Sequence, residues 1–168
     1  MHLTCAAAVA ACDALEKLSG QRPGIKWIND LILESKKLGG ILTELSIDPK
    51  TAQVQYAVVG IGVNCTAVPE SVSDMAACLG ICPEKVCAGL VEAFWQMDNT
   101  LWETEAVMAQ YRKDCVTLGQ PVKLMGTGQT GTALDVTSDG GLVVRLSDGS
   151  KTTVSSGEVS VRGMYGYV

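Results

Sequence analysis

Apolar and polar positions follow three rhythms along this chain, and the changes of rhythm divide it. From residue 5 to 19 Ala, Val, Cys and Leu occupy nearly every face until Glu16 and Lys17. This predicts a helix covered on most sides, capped by Thr4 and stopped by Gly20. After the Gln21-Arg22-Pro23-Gly24 turn, three extended runs are predicted: Ile25 to Trp27, Lys37 to Ser46 and Val54 to Asn64. Turn chemistry at Asp48-Pro49-Lys50 makes the last two an antiparallel hairpin. Helical spacing returns over residues 83 to 114, with Val86, Leu90, Ala93, Phe94 and Met97 on one stripe and Leu101, Val107, Met108 and Tyr111 on another.

At Leu118-Gly119 the composition shifts to Gly, Thr, Val and Ser, with turn signals at 126 to 128, Asp139-Gly140-Gly141 and Asp148-Gly149. Five strands are predicted: Pro121 to Met125, Thr130 to Val136, Gly141 to Leu146, Lys151 to Ser155 and Val159 to Arg162. They are too few for a sandwich and suit a small five-stranded barrel. The expected fold is therefore α+β: a mixed or antiparallel sheet backed by helices over residues 1–117, then a β-barrel over 118–168.

Composition narrows the function classes. With 168 residues, 47% of them apolar and 18% charged, the chain can bury a core without staples, and its composition is not that of a disordered chain. The net charge of −5 opposes nucleic-acid binding, which needs clustered Lys and Arg, and the longest basic run is Lys36-Lys37. Residues 5 to 12 lack a basic flank and fall short of the roughly 20 apolar residues of a membrane span. Seven cysteines with no close CxxC pair fit a reducing cytoplasm. Cys78, Cys82 and Cys87 lack the fourth ligand and tight spacing of a zinc site, and His2 is the only histidine.

Chemistry concentrates in Lys26-Trp27-Ile28-Asn29-Asp30 and in Lys36-Lys37-Leu38-Gly39-Gly40-Ile41-Leu42-Thr43-Glu44. On strict alternation Lys37, Gly39, Ile41 and Thr43 share a face, and the paired glycines admit a close approach by ligand or backbone. Lys37 overhanging bare sheet would neutralise phosphate or carboxylate charge, with Asp30 available to a hydrated magnesium ion. The structural alternative is a bulge at Gly39-Gly40 with Lys36 and Lys37 as protective edge charges. Val58-Val59-Gly60-Ile61-Gly62-Val63-Asn64 fails as a dinucleotide fingerprint because Cys65 holds the third glycine position and the context is a strand. It leaves Gly60 and Gly62 on one face beside Asn64, whose amide can address a purine edge; plain packing is the alternative.

Lys26 to Asp30, then Lys37 to Glu44, then Gly60 to Asn64 resemble, in order and spacing, the successive motifs of biotin protein ligases. The Gly/Thr/Val-rich tail through Gly157-Glu158-Val159-Ser160-Val161-Arg162 is similar to the family's SH3-like terminal domain, so the likeness covers nearly the whole chain. The resemblance implies a class II synthetase-like catalytic domain. Its activity is to join biotin to ATP as biotinyl-5′-adenylate, release pyrophosphate, and pass biotin to a lysine of a biotin carboxyl carrier protein. Lys37 would be the catalytic lysine contacting the biotin carboxylate and the α-phosphate. Asn29 and Asp30 would lie by the phosphates and magnesium, Gly39, Gly40, Ile41 and Gly62 would line the biotin and ATP subsites, and Asn64 would read adenine. Lys26 and Trp27 would support the site.

Two departures qualify that carry-over. Ile28 stands where the family usually has proline, which removes no functional group. The family's Gly/Arg-rich loop belongs upstream of the first helix and is not in these residues, which implies weak or no activity for them alone; Arg22 does not match its arginine. The alternative is a non-catalytic module whose hairpin edge recruits a carrier protein, or a second copy as a homodimer, by strand addition.

Overall fold

The computed structural model describes residues 2–97, 103–125, 127–155 and 161–163, the last three by backbone alone. Helix α1 (His2–Ser19) carries Ala, Cys and Val through its middle, and Cys5 to Cys12, Ala14 and Leu15 are all buried. Side chains this small let neighbours approach closely. At Gly89, a Cβ would lie 2.9 Å from Leu18 Cδ1. The helix stops as predicted: Gly20 turns to φ +74° and its N–H donates to Glu16 O at 2.8 Å. Thr4 is not its cap. It lies within the helix, and its hydroxyl donates to Thr43 Oγ1 at 3.0 Å, tying the helix to the sheet instead.

That sheet is antiparallel throughout, in the order β1 (Gly24–Lys26), β2 (Asp30–Leu33), β3 (Lys36–Ile47), β4 (Val54–Val63). The hairpin between β3 and β4 forms as expected, and the Asp48 carboxylate accepts the Lys50 and Thr51 N–H groups, which hold it below the usual carboxylate range. β2 was not among the predicted strands, since four residues are too few to show alternation. It turns into β3 through Glu34 and Ser35, both left-handed at φ 50° and 62°, the geometry of a two-residue hairpin.

Helices α2 (Pro83–Met97) and α3 (Thr104–Asp114) occupy the predicted helical stretch. Val86, Met108 and Tyr111 are buried, Leu90 and Phe94 half-buried; Leu101 lies outside the described residues. Arg22 joins α1 to α3. Its guanidinium meets Asp114 at 2.6 Å, Asp13 at 2.7 Å and Glu16 at 2.7 Å, and the bonds to Asp114 above all hold it in its charged form.

The second sheet runs β8 (Lys151–Val154), β7 (Leu142–Leu146), β6 (Thr130–Val136), β5 (Pro121–Leu124), β9 (Val161–Gly163), all antiparallel. The predicted strands are present, with Val159 outside the described residues. The predicted barrel is not closed: among the described residues β9 pairs with β5 and no ladder joins β8 to β9. The two sheets share one apolar cluster, and Val116, in the turn between α3 and β5, donates its N–H to Ile25 O of β1 at 2.9 Å. Among the described residues no helix is long and apolar enough to cross a membrane, and no group of three His, Cys, Asp or Glu is placed to hold a metal.

All seven cysteines are free. Burial pushes the Cys5 and Cys12 thiols up to about 12 and raises Cys115 as well, whereas Cys82 and Cys87 are exposed. Alkylation at pH 8, followed by mass spectrometry, should therefore label Cys82 and Cys87 first and spare Cys5, Cys12 and Cys115 until the chain unfolds. Early labelling of Cys12 would contradict this packing. Replacing Glu34-Ser35 by Asn-Gly should raise the urea midpoint, with a gain of about 1 kcal/mol from relief of left-handed strain.

Candidate functional site

The second and third sequence motifs come together as the paired strands β3 and β4, and a bulge against β2 resets the alternation of β3 at Lys37. Pairing with β2 passes from Leu31–Gly39 to Ile32–Lys37, leaving Leu38 as the extra residue. Leu38 is fully buried, and its carbonyl accepts the Asn64 N–H at 2.9 Å. In consequence Lys37 does not share a face with Gly39, Ile41 and Thr43, as strict alternation predicts. It lies over Gly40, where a Cβ would stand 3.6 Å from Lys37 Cε and 3.3 Å from Asp30 Oδ1. Ile41 is buried and Thr43 reaches α1. A bulge is thus present, as the structural alternative held, but centred on Leu38.

Lys37 Nζ meets Asp30 Oδ1 at 2.6 Å, with the two side chains 38% and 22% exposed. A pair this accessible contributes only about 0.2–1 kcal/mol, so its effect is on orientation. Beside it lies a floor without side chains. Gly40 pairs with Gly62 and Leu42 with Gly60, which places three glycines and Leu42 on one face. A Cβ at Gly62 would meet nothing within 4 Å, and one at Gly60 only the Leu42 carbonyl. Gly39 has the opposite constraint: its Cβ would come 2.3 Å from Gly62 O, so glycine is required there by backbone packing.

The amides are partly committed to the protein. Asn29 Nδ2 donates to Ile41 O at 2.7 Å while Ile41 N–H donates to Asn29 O at 2.9 Å, fixing the turn before Asp30. Asn64 Nδ2 donates to Lys37 O at 3.3 Å and Ala77 O at 3.0 Å, which leaves Oδ1 as its acceptor for a ligand. Segment 73–77, which carries no motif, clamps the lysine. Lys37 N–H donates to Met75 O, Ala77 N–H to Lys37 O, and Lys36 Nζ to Ser73 O. Trp27 is buried, its indole N–H donating to Gly140 O at 2.9 Å. Arg22 is committed to its three carboxylates, none of them a predicted site residue.

Residues 1–64 match the model of the biotin/lipoate A/B protein ligase family, and residues 117–162 match the biotin protein ligase C terminal domain, together more than half of the chain. The chain belongs to the biotin protein ligase family. The biotin--[acetyl-CoA-carboxylase] ligase of Mycobacterium tuberculosis is 28% identical over 94% of the chain and 61% of its own length. The bifunctional ligase/repressor BirA of Bacillus subtilis is 37% identical over 44% of the chain and 22% of its own length. The chain thus spans less than two thirds of either relative. Among solved structures, the apo biotin protein ligase of Aquifex aeolicus superimposes with a TM-score of 0.82 at 26% identity, covering 97% of this chain and 75% of that one. The same Aquifex protein has a structure in complex with biotin and ATP, with a TM-score of 0.79.

The glycine geometry separates folding from binding. Gly39→Ala should cost about 3 kcal/mol or more in chemical denaturation, because backbone must move. Gly62→Ala should leave the denaturation midpoint within about 1 kcal/mol, since the new methyl meets only open space and costs no more than a strand glycine normally gains from it. Equal losses in the two variants would rule out this account of the floor.

Proposed function

We propose that this chain carries the lysine side of a biotin-activating site, in an enzyme that joins biotin to ATP and transfers biotin to a carrier protein. The observation that carries the reading is the Lys37–Asp30 pair standing over the glycine floor. An adenylate with its linked carboxyl group is long, flat and anionic at its centre. A bare strip of sheet with an ammonium along one edge suits that shape and charge.

In this reading the Lys37 ammonium leaves Asp30 for the incoming anions and neutralises charge as a biotin carboxylate oxygen bonds to the α-phosphorus and pyrophosphate departs. The same contact then stabilises the acyl carbon–oxygen cleavage when a carrier lysine amine attacks and AMP leaves. Asn29 and Asp30 serve the phosphate side, while Gly40 and Gly62 let the substrates lie against backbone; Gly39 and Ile41, expected to line the subsites, face the packed side and support that floor from behind. Asn64, its donors turned inward, offers Oδ1 to an exocyclic amino group, which favours adenine over a 6-oxo purine. Magnesium fits through Asp30 alone: one carboxylate suffices for an ion that keeps several waters and takes phosphate oxygens. Bound there, it would supply charge neutralisation at the phosphates. The partner is a biotin carboxyl carrier protein in the cytoplasm, and we place the domain boundary at 117/118, where composition changes. The family match does not favour the non-catalytic alternative.

Titration calorimetry tests the site. The chain should bind biotinyl-5′-adenylate with a Kd of roughly micromolar or below, and Lys37→Ala should weaken it by about 30-fold or more. Undiminished binding by that variant would remove Lys37 from the site.

A further inference from the structure

Besides Ile41, residues from outside the sheet hold the Asn29–Asp30 turn in place. Trp27 N–H donates to Thr117 Oγ1 at 2.9 Å, and its indole Nε1 donates to Gly140 O at 2.9 Å. Tyr111 Oη donates to Ile28 O at 3.0 Å. These bonds come from α3, from the turn that follows it and from the β6–β7 turn. Trp27, Tyr111, Thr117 and Gly140 are all buried, so water does not replace a lost partner readily.

The β6–β7 turn is itself fixed. Thr137 N–H donates to Gly141 O at 2.8 Å, Gly141 N–H to Thr137 Oγ1 at 2.8 Å, and Gly140 N–H to Thr137 O at 2.9 Å. Gly140 holds φ +94°, a conformation that glycine adopts without strain. The carbonyl offered to Trp27 therefore has a set direction. On the other side of the turn, Asn29 makes its reciprocal pair with Ile41, and Asp30 begins β2. Packing alone does not require the Tyr111 hydroxyl, since phenylalanine would fill nearly the same space. Burial raises the Tyr111 phenol well above its ordinary value, so it remains a donor across the working pH range.

We propose that Tyr111, Thr117 and Trp27 are positioning residues. Through three hydrogen bonds, two of them buried and one part-buried, α3, the turn after it and the β6–β7 turn hold the 27–30 turn so that Asn29 and Asp30 stand correctly against Lys37 for adenylate binding. This rests on reading the Lys37–Asp30 face as the adenylate site. Through the Gly140 carbonyl alone it also gives the C-terminal unit a part in substrate affinity without any contact to substrate.

The test uses the 168-residue chain with Tyr111→Phe, Thr117→Val and, as a control, Val144→Ala, which empties core space in the small sheet but touches none of the three bonds. Biotinyl-5′-adenylate affinity is measured well below every thermal transition. Tyr111→Phe and Thr117→Val should each raise Kd about tenfold, whereas Val144→Ala should lower the thermal midpoint and leave Kd unchanged. In the ligand-free chain, amide exchange at Ile41 should quicken and the Asn29 side-chain amide resonance should move in the first two variants alone. Unchanged exchange and resonance in both would overturn the proposal, as would an equal rise of Kd in Val144→Ala. Absence of adenylate binding by the unsubstituted chain would refute the site reading instead, and the exchange data would still decide the positioning.

Discussion

Close backbone approach at small residues is the constraint on which this structure rests. Helix α1 has α2 and α3 against it and the sheet on another side, and it admits them because Ala and Cys fill its middle. A longer side chain at Ala7 or Ala11, both fully buried, would push a neighbouring element outward. The sheet obeys the same rule at Gly39, where the Gly62 carbonyl occupies the space a Cβ would need. Both contacts bring β3 to its place beside the helix and β4, and the candidate site is built on β3.

The Leu38 bulge turns that placement into a candidate site. Without it, Lys37 would follow Gly39 and Ile41 toward the packed side, where burying an ammonium would be costly. The extra residue sends Leu38 into the core and returns Lys37 to the open face above Gly40, within reach of Asp30. Asn64 stabilises the irregularity by bonding to the backbone of Lys37 and Leu38. The residue proposed to address a base therefore also fixes the lysine.

The glycines divide between these duties. Gly39 is spent on packing, whereas Gly60 and Gly62 leave empty space that the folded chain does not use. Burial of Leu38 and Ile41 supplies stability on one side of β3, and its other side keeps Leu42 more than half exposed beside the bare strip. An apolar residue and three glycines facing outward make poor protein surface and a good ligand floor.

Much of this was legible in the sequence. The apolar run of α1 and its Gly20 stop, the β3–β4 hairpin about Asp48, the two helical stripes and the five late strands all follow from periodicity and turn chemistry, because those signals are local. The ordered motifs at Lys26 to Asp30, Lys37 to Glu44 and Gly60 to Asn64 likewise mark where the Lys37–Asp30 pair and the glycine floor come together. Other features had no local signal. Strand β2 exists because β1 and β3 flank it, and Thr4 bonds to Thr43 because folding brings α1 over β3. Lys37 changes face through a bulge whose place at Leu38, not at the Gly39-Gly40 pair that suggested one, only the pairing with β2 sets, and Tyr111 meets Ile28 across a separation of 83 residues. The sequence by itself determined which residues form each element and which carry charge. The tertiary structure alone decided which of them face one another, because register shifts and long-range hydrogen bonds are set by the fit between elements.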